Sequence, residues 1–483
     1  MTATTPEVRR GTRSGAIGLV GAVVSGACGF LLTTILTRGY GAEGAGVLFT
    51  VIGLVTIAGA VCCLGADTGL MWAIPRSSDA GRLLSVAMLP TVELAVLLAA
   101  AGYATAGPLT GALGLPDPEL LRLAFAGLPV IVAATVLLAA VRATRPVAAY
   151  VGVQMVLVPV LRPVLLILAG GSLLLGFGAW LLPMALALLI AIALAPRFAR
   201  PEGWQSFWAF ALPRAGSVAI DASSMWVGVL LTGALVGTAE AGVFGAAARY
   251  ALAGLLIMQG LRVAIAPQLS RLLAASRNAE AAAVYRRTTL AIVVLSWPAY
   301  LMLAVFAPAF LALFGPSFSA GAAPLAVLAV AMLVNVGVGL VQTVLLMSGN
   351  SRGHLLATVC GLALNVVAGL LLIPRMGALG AAIAWSLGIV CENVIAAVLA
   401  RRALGESLFD RPVLLASLGV TLLSALAAAL GVSFGGRDLP GLAVTLGVIA
   451  VAGLAALADR RVRAALHNVR AQLRPAPTQE VSS

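Results

Sequence analysis

The sequence predicts an all-α integral membrane protein of about 14 transmembrane helices. They form two six-helix lobes related by a parallel pseudo-two-fold repeat, plus two accessory C-terminal helices. Three observations carry this prediction. The first is composition: of 483 residues, 61% are hydrophobic and 10% charged, with a mean hydropathy of +1.08. Soluble domains run roughly 45–50% apolar and about 25% charged, so a water-soluble enzyme is excluded, and a disordered chain with it. The second is a series of fourteen apolar runs, each near the roughly 20 residues that one bilayer crossing takes. The third is the placement of the arginines, which fits that number of crossings.

Residues 1–13 are polar, contain Arg9, Arg10 and Arg13, and read as a cytoplasmic N-terminus. The first run, 15–37, is too long for the apolar region of a signal peptide and has no convincing cleavage site; it is the first span of an N-lobe over 14–195. The N-lobe continues through 46–66, 83–106, 123–141, 147–170 and 172–195. Residues 196–213 form an amphipathic cytoplasmic linker with Trp204 and Trp208 at the headgroup layer. The C-lobe, 214–400, holds spans at 214–236, 241–261, 289–314, 321–347, 354–374 and 378–400, with an amphipathic stretch at 262–288. Runs at 412–432 and 440–458 make the accessory pair over 412–458, and 459–483 is a basic cytoplasmic tail.

The 30 basic residues are all arginine. With the N-terminus inside, the outer loops hold only Arg38, Arg122, Arg375 and Arg437, and Arg162 and Arg249 fall within spans. Every other arginine faces the cytoplasm. Positive residues resist translocation, and one miscounted helix would invert every later loop and destroy the bias. Both termini are therefore expected in the cytoplasm of a bacterial inner-membrane protein. The net charge of +13 orients the chain and does not indicate nucleic-acid binding.

An internal repeat supports the two lobes. Gly41, Gly46 and Val47 recur as Gly237, Gly242 and Val243, 196 residues later, each set between two spans. Gly176-Phe177-Gly178-Ala179-Trp180 is echoed by Ala381-Ala382-Ile383-Ala384-Trp385, and Pro90 of span three by Pro298 of span nine. An even number of spans per copy gives both copies the same orientation, with the repeat axis along the membrane normal.

Several segments resemble a known family. Thr37-Arg38-Gly39-Tyr40-Gly41-Ala42-Glu43-Gly44-Ala45-Gly46 is similar to the first hairpin of polysaccharide (O-antigen, Wzx-type) flippases, of the multidrug/oligosaccharidyl-lipid/polysaccharide exporter superfamily. In the second half, Gly237 to Tyr250, Ala266-Pro267-Gln268-Leu269-Ser270 and Leu313-Phe314-Gly315-Pro316-Ser317-Phe318 resemble that family. The most specific match is Leu372-Ile373-Pro374-Arg375-Met376-Gly377-Ala378-Leu379-Gly380-Ala381-Ala382. Val243-Phe244 depart from the Gly-Tyr common in the family. The resemblance covers about residues 10–402. It implies alternating-access translocation of an undecaprenyl-diphosphate-linked oligosaccharide from inner to outer leaflet for surface polysaccharide. H⁺ or Na⁺ are the candidate coupling ions, and the polysaccharide polymerase machinery is a candidate contact. The alternatives are a lipid II flippase and a cation-coupled multidrug or metabolite exporter. Lipid II flippases cluster arginines in their early helices, which this chain does not, and drug exporters usually have 12 helices.

Ionised groups deep in a bilayer cost about 2.5–3.5 kcal/mol on the lenient insertion scale and persist beside water or a partner. Arg162, between Pro159 and Pro163 in span five, is expected at a helix break facing a cavity. A guanidinium there suits a diphosphate, because it binds bidentately and keeps its charge. Arg249 is a second candidate anion contact, and Arg38 a third at the outer mouth, where capping the helix end is its structural alternative. Asp221, Glu93 and Glu392 are candidate coupling carboxylates. Asn335 and Gln342 on span ten, and Asn365 on span eleven, are candidate sugar contacts or interhelical hydrogen bonds. No catalytic set, Walker motif, dinucleotide fingerprint or metal-ligand spacing is present in the sequence, so no enzymatic activity and no cofactor are expected. The five cysteines lie in apolar runs and imply no disulfide framework.

Overall fold

Backbone polar groups inside lipid must be satisfied within each segment, which leaves helices as the only open-ended solution. The computed structural model describes residues 6–77 and 79–458, and every regular element among them is helical. The tail expected at 459–483 and residues 1–5 lie outside the described residues.

The helices follow the apolar runs. In the first half they are α1 (17–40), α2 (42–62), α3 (Ala80–Ala104), α4 (Pro118–Thr144), α5 (Val147–Leu168) and α6 (Leu173–Leu194). The second half has α7 (Trp204–Leu235), α8 (238–274, with a joint at Gly254), α9 (Asn278–Val305), α10 (316–347), α11 (351–376) and α12 (378–404). Then come α13 (Arg411–Gly435) and α14 (Leu439–Ala458). The helix of α7 begins at Trp204 and runs straight through the expected linker, so residues 204–213 are its first turns.

Two joints are unusually tight. Between α1 and α2 the chain stays nearly helical except at Gly41, with φ +67° and ψ −171°; its repeat counterpart Gly237, between α7 and α8, has φ +128° and ψ +167°. Residues with a Cβ rarely adopt these angles. We call this end of the bundle the hairpin end.

The repeat is visible in three dimensions as a reciprocal contact there. A Cβ on Gly46 would fall 1.6 Å from the Thr238 carbonyl oxygen, and one on Gly242 would fall 2.0 Å from that of Ala42. Thr238 and Gly242 are the repeat counterparts of Ala42 and Gly46, so each copy offers the other the same surface. This crossing of α2 and α8, small residue on small residue, is the packing membranes favour where side chains supply no hydrophobic drive. Along the same face, Gly53 of α2 receives the Trp226 ring of α7, and Gly65 approaches the Ala211 carbonyl at the opposite end.

The accessory pair α13–α14 packs on the second half. Ala428 and Leu442 bury Met302, Phe306 and Ala309 at the end of α9 and just beyond it. At the foot of this pair Arg286 reaches the Ser407 carbonyl at 2.8 Å and Asp410 at 3.4 Å.

Candidate functional site

Helix α5 is irregular where its prolines predict. Residues Val151–Leu157 wind as a π-helix, and Val158–Leu168 then resumes α geometry around Pro159 and Pro163. Proline has no N–H to return to the preceding turn, and single π-turns inside α-helices are frequent at functional sites. Arg162 follows directly. Its Nε donates to the Trp180 carbonyl of α6 at 3.1 Å, and its guanidinium carbon lies 4.2 Å from the centre of the Trp180 ring.

Arg249, on α8, is held in the same style from the other half. Its guanidinium carbon sits 4.8 Å from the Trp226 ring of α7 and 5.7 Å from that of Phe49 on α2. The two arginines lie within charge–charge range of each other. Neither has a carboxylate partner among the described residues. Two cations held on aromatic faces, one from each half and within charge–charge range, repel each other. An anion between them relieves that repulsion, and their remaining N–H groups match phosphate oxygens.

Arg38 does not join them. It is exposed, and its Nε donates to the Leu313 carbonyl at 2.8 Å, linking α1 to the segment before α10. It thus neither caps its own helix nor enters the arginine pair. Beside it, Phe30 packs on Tyr250 and Phe314 with ring centres 5.2 and 5.5 Å apart, and the Tyr250 hydroxyl donates to the Phe310 carbonyl at 2.5 Å. These contacts, with the glycine crossing, close the hairpin end between the halves.

A second polar site lies within the second half. Gln342 Nε2 of α10 donates to Glu392 Oε1 of α12 at 2.8 Å, and Asn365 Nδ2 of α11 donates to the Ser224 carbonyl of α7 at 3.3 Å. Ser224, Asn365 and Glu392 line a cavity of about 70 Å³, floored by Gly361 and Gly388. A Cβ on Gly361 would meet Glu392 at 2.9 Å, so glycine lets the carboxylate approach. Asp221, one turn before Ser224, is exposed and within charge–charge range of Glu392, His354 and Arg262. Glu392, Gln342 and Asn365, separate in sequence, meet here, with Asp221 in charge–charge range. His354, Arg262 and Ser224 were not singled out as members; only their shared depth with Asp221 signalled them.

Two expected residues fall elsewhere. Asn335 accepts from Asn393 Nδ2 at 2.9 Å between α10 and α12, an interhelical hydrogen bond. Helix α10 breaks at Gly339, with φ +64°, and Tyr285 donates to the freed Val338 carbonyl there. The helical register that placed Asn335 and Gln342 on one face therefore does not run through. Glu93 lies mid-way along α3, on the face opposite its buried residues Thr91 and Ala95, and takes no part in either site. Among the described residues no group of His, Cys, Asp and Glu is arranged to hold a metal ion.

The profile of the family described as "Lipid II flippase MurJ" matches residues 128–439. No curated protein matches the sequence significantly. Among solved structures, one described as lipid II flippase MurJ in an inward closed conformation superposes with a TM-score of 0.65. It is 11% identical over 90% of this chain and 98% of its own. An inward-facing multidrug resistance MATE family transporter of the MOP superfamily gives 0.62 at 15% identity, over 81% of this chain and 98% of its own. A MOP superfamily transporter from Pyrococcus furiosus gives 0.57 at 16% identity, over 82% and 96%. At these identities the likeness is one of fold.

Proposed function

Because the chain belongs to the lipid II flippase MurJ family, within the multidrug/oligosaccharidyl-lipid/polysaccharide exporter superfamily, we propose that it carries the headgroup of a polyprenyl-diphosphate-linked saccharide across the bacterial inner membrane. The observation that carries this reading is the Arg162–Arg249 pair, one cation from each half and both without a carboxylate. The hairpin end is the outer side and both termini are cytoplasmic, as the arginine bias requires. The lobes, 14–195 and 214–400, part at the cytoplasmic side and admit the headgroup while its polyprenyl tail stays in lipid. The two guanidiniums hold the diphosphate. The lobes rock, the contacts at Arg38, Phe30 and Gly46 separate, and the headgroup leaves outward. Asp221 and Glu392, with Gln342 and Asn365, take up H⁺ or Na⁺ and couple the rocking to its gradient.

Family membership favours the peptidoglycan precursor as the saccharide. A surface-polysaccharide repeat unit is the second reading, favoured by the absence of arginine from α2 and by the Leu372–Ala382 segment. Purified protein in liposomes, given fluorescent lipid II or a fluorescent undecaprenyl-diphosphate oligosaccharide, separates the two. Translocation of lipid II alone supports the first and of the oligosaccharide alone the second. Failure on both, with a correctly folded protein, overturns the flippase assignment.

A further inference from the structure

The two halves share part of their buried pattern and differ on their outer faces. With Pro90 aligned to Pro298, the buried Leu84, Ala95 and Ala99 of α3 match the buried Ile292, Leu303 and Ala307 at and just beyond α9. The register holds at these positions, while the buried Val86, Ala87 and Thr91 match the exposed Val294, Leu295 and Ala299. In that register Leu301, Met302, Val305, Phe306 and Ala309 correspond to Glu93, Leu94, Leu97, Leu98 and Ala101. The α9 set is the surface that α13 and α14 cover, with Leu301 and Val305 beside Val432 and Ile449. Of the α3 set, Leu94 and Leu98 pack partly on the core, and the other three are uncovered. Leu97 is 61% exposed, Leu89 and Val96 on the same face are 53% and 50% exposed, and Glu93 and Ala101 are exposed as well.

Glu93 is at the middle of the 25-residue helix, hence near mid-bilayer, with no ion-pair partner among the described residues. We propose that this face of α3 is the docking surface for a transmembrane helix of a different membrane protein. That helix carries an arginine or lysine at mid-bilayer depth, facing Glu93. It takes on the first lobe the place that α13 and α14 take on the second. Leu89, Val96 and Leu97 supply the apolar contact, and the exposed Ala100, Ala101 and Ala104 let a second backbone come close. A carboxylate at this depth calls for a cation or a wet cavity, and Glu93 does not line the cavity beside Glu392.

A second copy of this chain does not meet the requirement. Two α3 faces would set Glu93 against Glu93. The exposed residues of α13 and α14 at span depth, such as Leu418, Leu422, Leu426 and Leu446, are apolar.

The full-length protein in phosphatidylcholine–phosphatidylglycerol liposomes, with a photo-cross-linking residue in place of Leu97, tests this. The probe is a leucine–alanine transmembrane peptide of about 20 residues bearing one central arginine, compared with the same peptide bearing leucine there. The arginine peptide should cross-link about 5-fold or more above the leucine peptide. Glu93→Gln and Glu93→Leu should each remove that difference, and a cross-linker at Leu422 should show none. Equal yields from the two peptides, a preference untouched by either Glu93 variant, or cross-linking chiefly to a second copy of the chain would each overturn the proposal.

Discussion

Arg162 and Arg249 lean on Trp180 and Trp226. Contact with the ring, and for Arg162 the bond from Nε to the Trp180 carbonyl, holds each guanidinium in place and leaves terminal N–H groups for a ligand, so lysine is no equivalent at either position. Arg162→Ala and Arg249→Ala should each raise the substrate concentration needed for half-maximal flipping about 10- to 100-fold, the range of a charged hydrogen bond. Melting temperature should be unchanged, and Arg162→Lys should recover only part of the loss. Wild-type flipping by either alanine variant in liposomes would remove the pair from the mechanism. Glu392→Gln keeps a hydrogen-bonding group for Gln342 but no charge. It should abolish acceleration by an imposed H⁺ or Na⁺ gradient while leaving downhill exchange measurable; an undiminished gradient response would count against coupling there. At this scale depth in the membrane singles out Arg162, Arg249, Asp221, Glu392 and Glu93 alike. Depth does not tell one face of a helix from another, and the structure places Glu93 on an exposed face of α3. The tryptophans were missed because an aromatic residue in an apolar run gives no sign that it supports a cation.

Helices α2 and α8 meet at Gly46 and Gly242 with no room for a methyl group. Forcing extra carbon into packed contacts costs about 1–3 kcal/mol. Gly46→Ala and Gly242→Ala should therefore each admit a membrane-impermeant maleimide to a cysteine placed at Phe30 in a background without native cysteines, with wild-type glycine protecting it. Because the contact is reciprocal, the two variants should behave alike although 196 residues separate them; protection retained in both would show that the seam lies elsewhere. Helix number and order were readable because apolar length and arginine bias constrain each other. Three details were not. The linker read as amphipathic at 196–213 becomes, from Trp204, the opening of α7, since linker and span share one helical phase. The π-turn of α5 follows from where the chain finds acceptors around Pro159 and Pro163, which proline positions alone do not specify. The break at Gly339 needs Tyr285 from a distant helix to satisfy the Val338 carbonyl.

The whole molecule holds its halves together at the hairpin end through Arg38 to Leu313, the rings of Phe30, Tyr250 and Phe314, and the crossing at Gly46. Cysteines replacing Arg38 and Leu313, cross-linked by a short bifunctional maleimide, should stop flipping, and a reducible linker should restore it after dithiothreitol. Continued flipping by the cross-linked protein would show that this end need not open. None of these contacts strips water from greasy surface, because a bilayer offers no such gain between its helices. The fastening is made of ring stacking, one side-chain-to-carbonyl bond and the touch of bare backbone. Such a latch releases for little work and re-forms without search, so the energy drawn from a gradient can go to moving the cargo instead of prying the carrier apart.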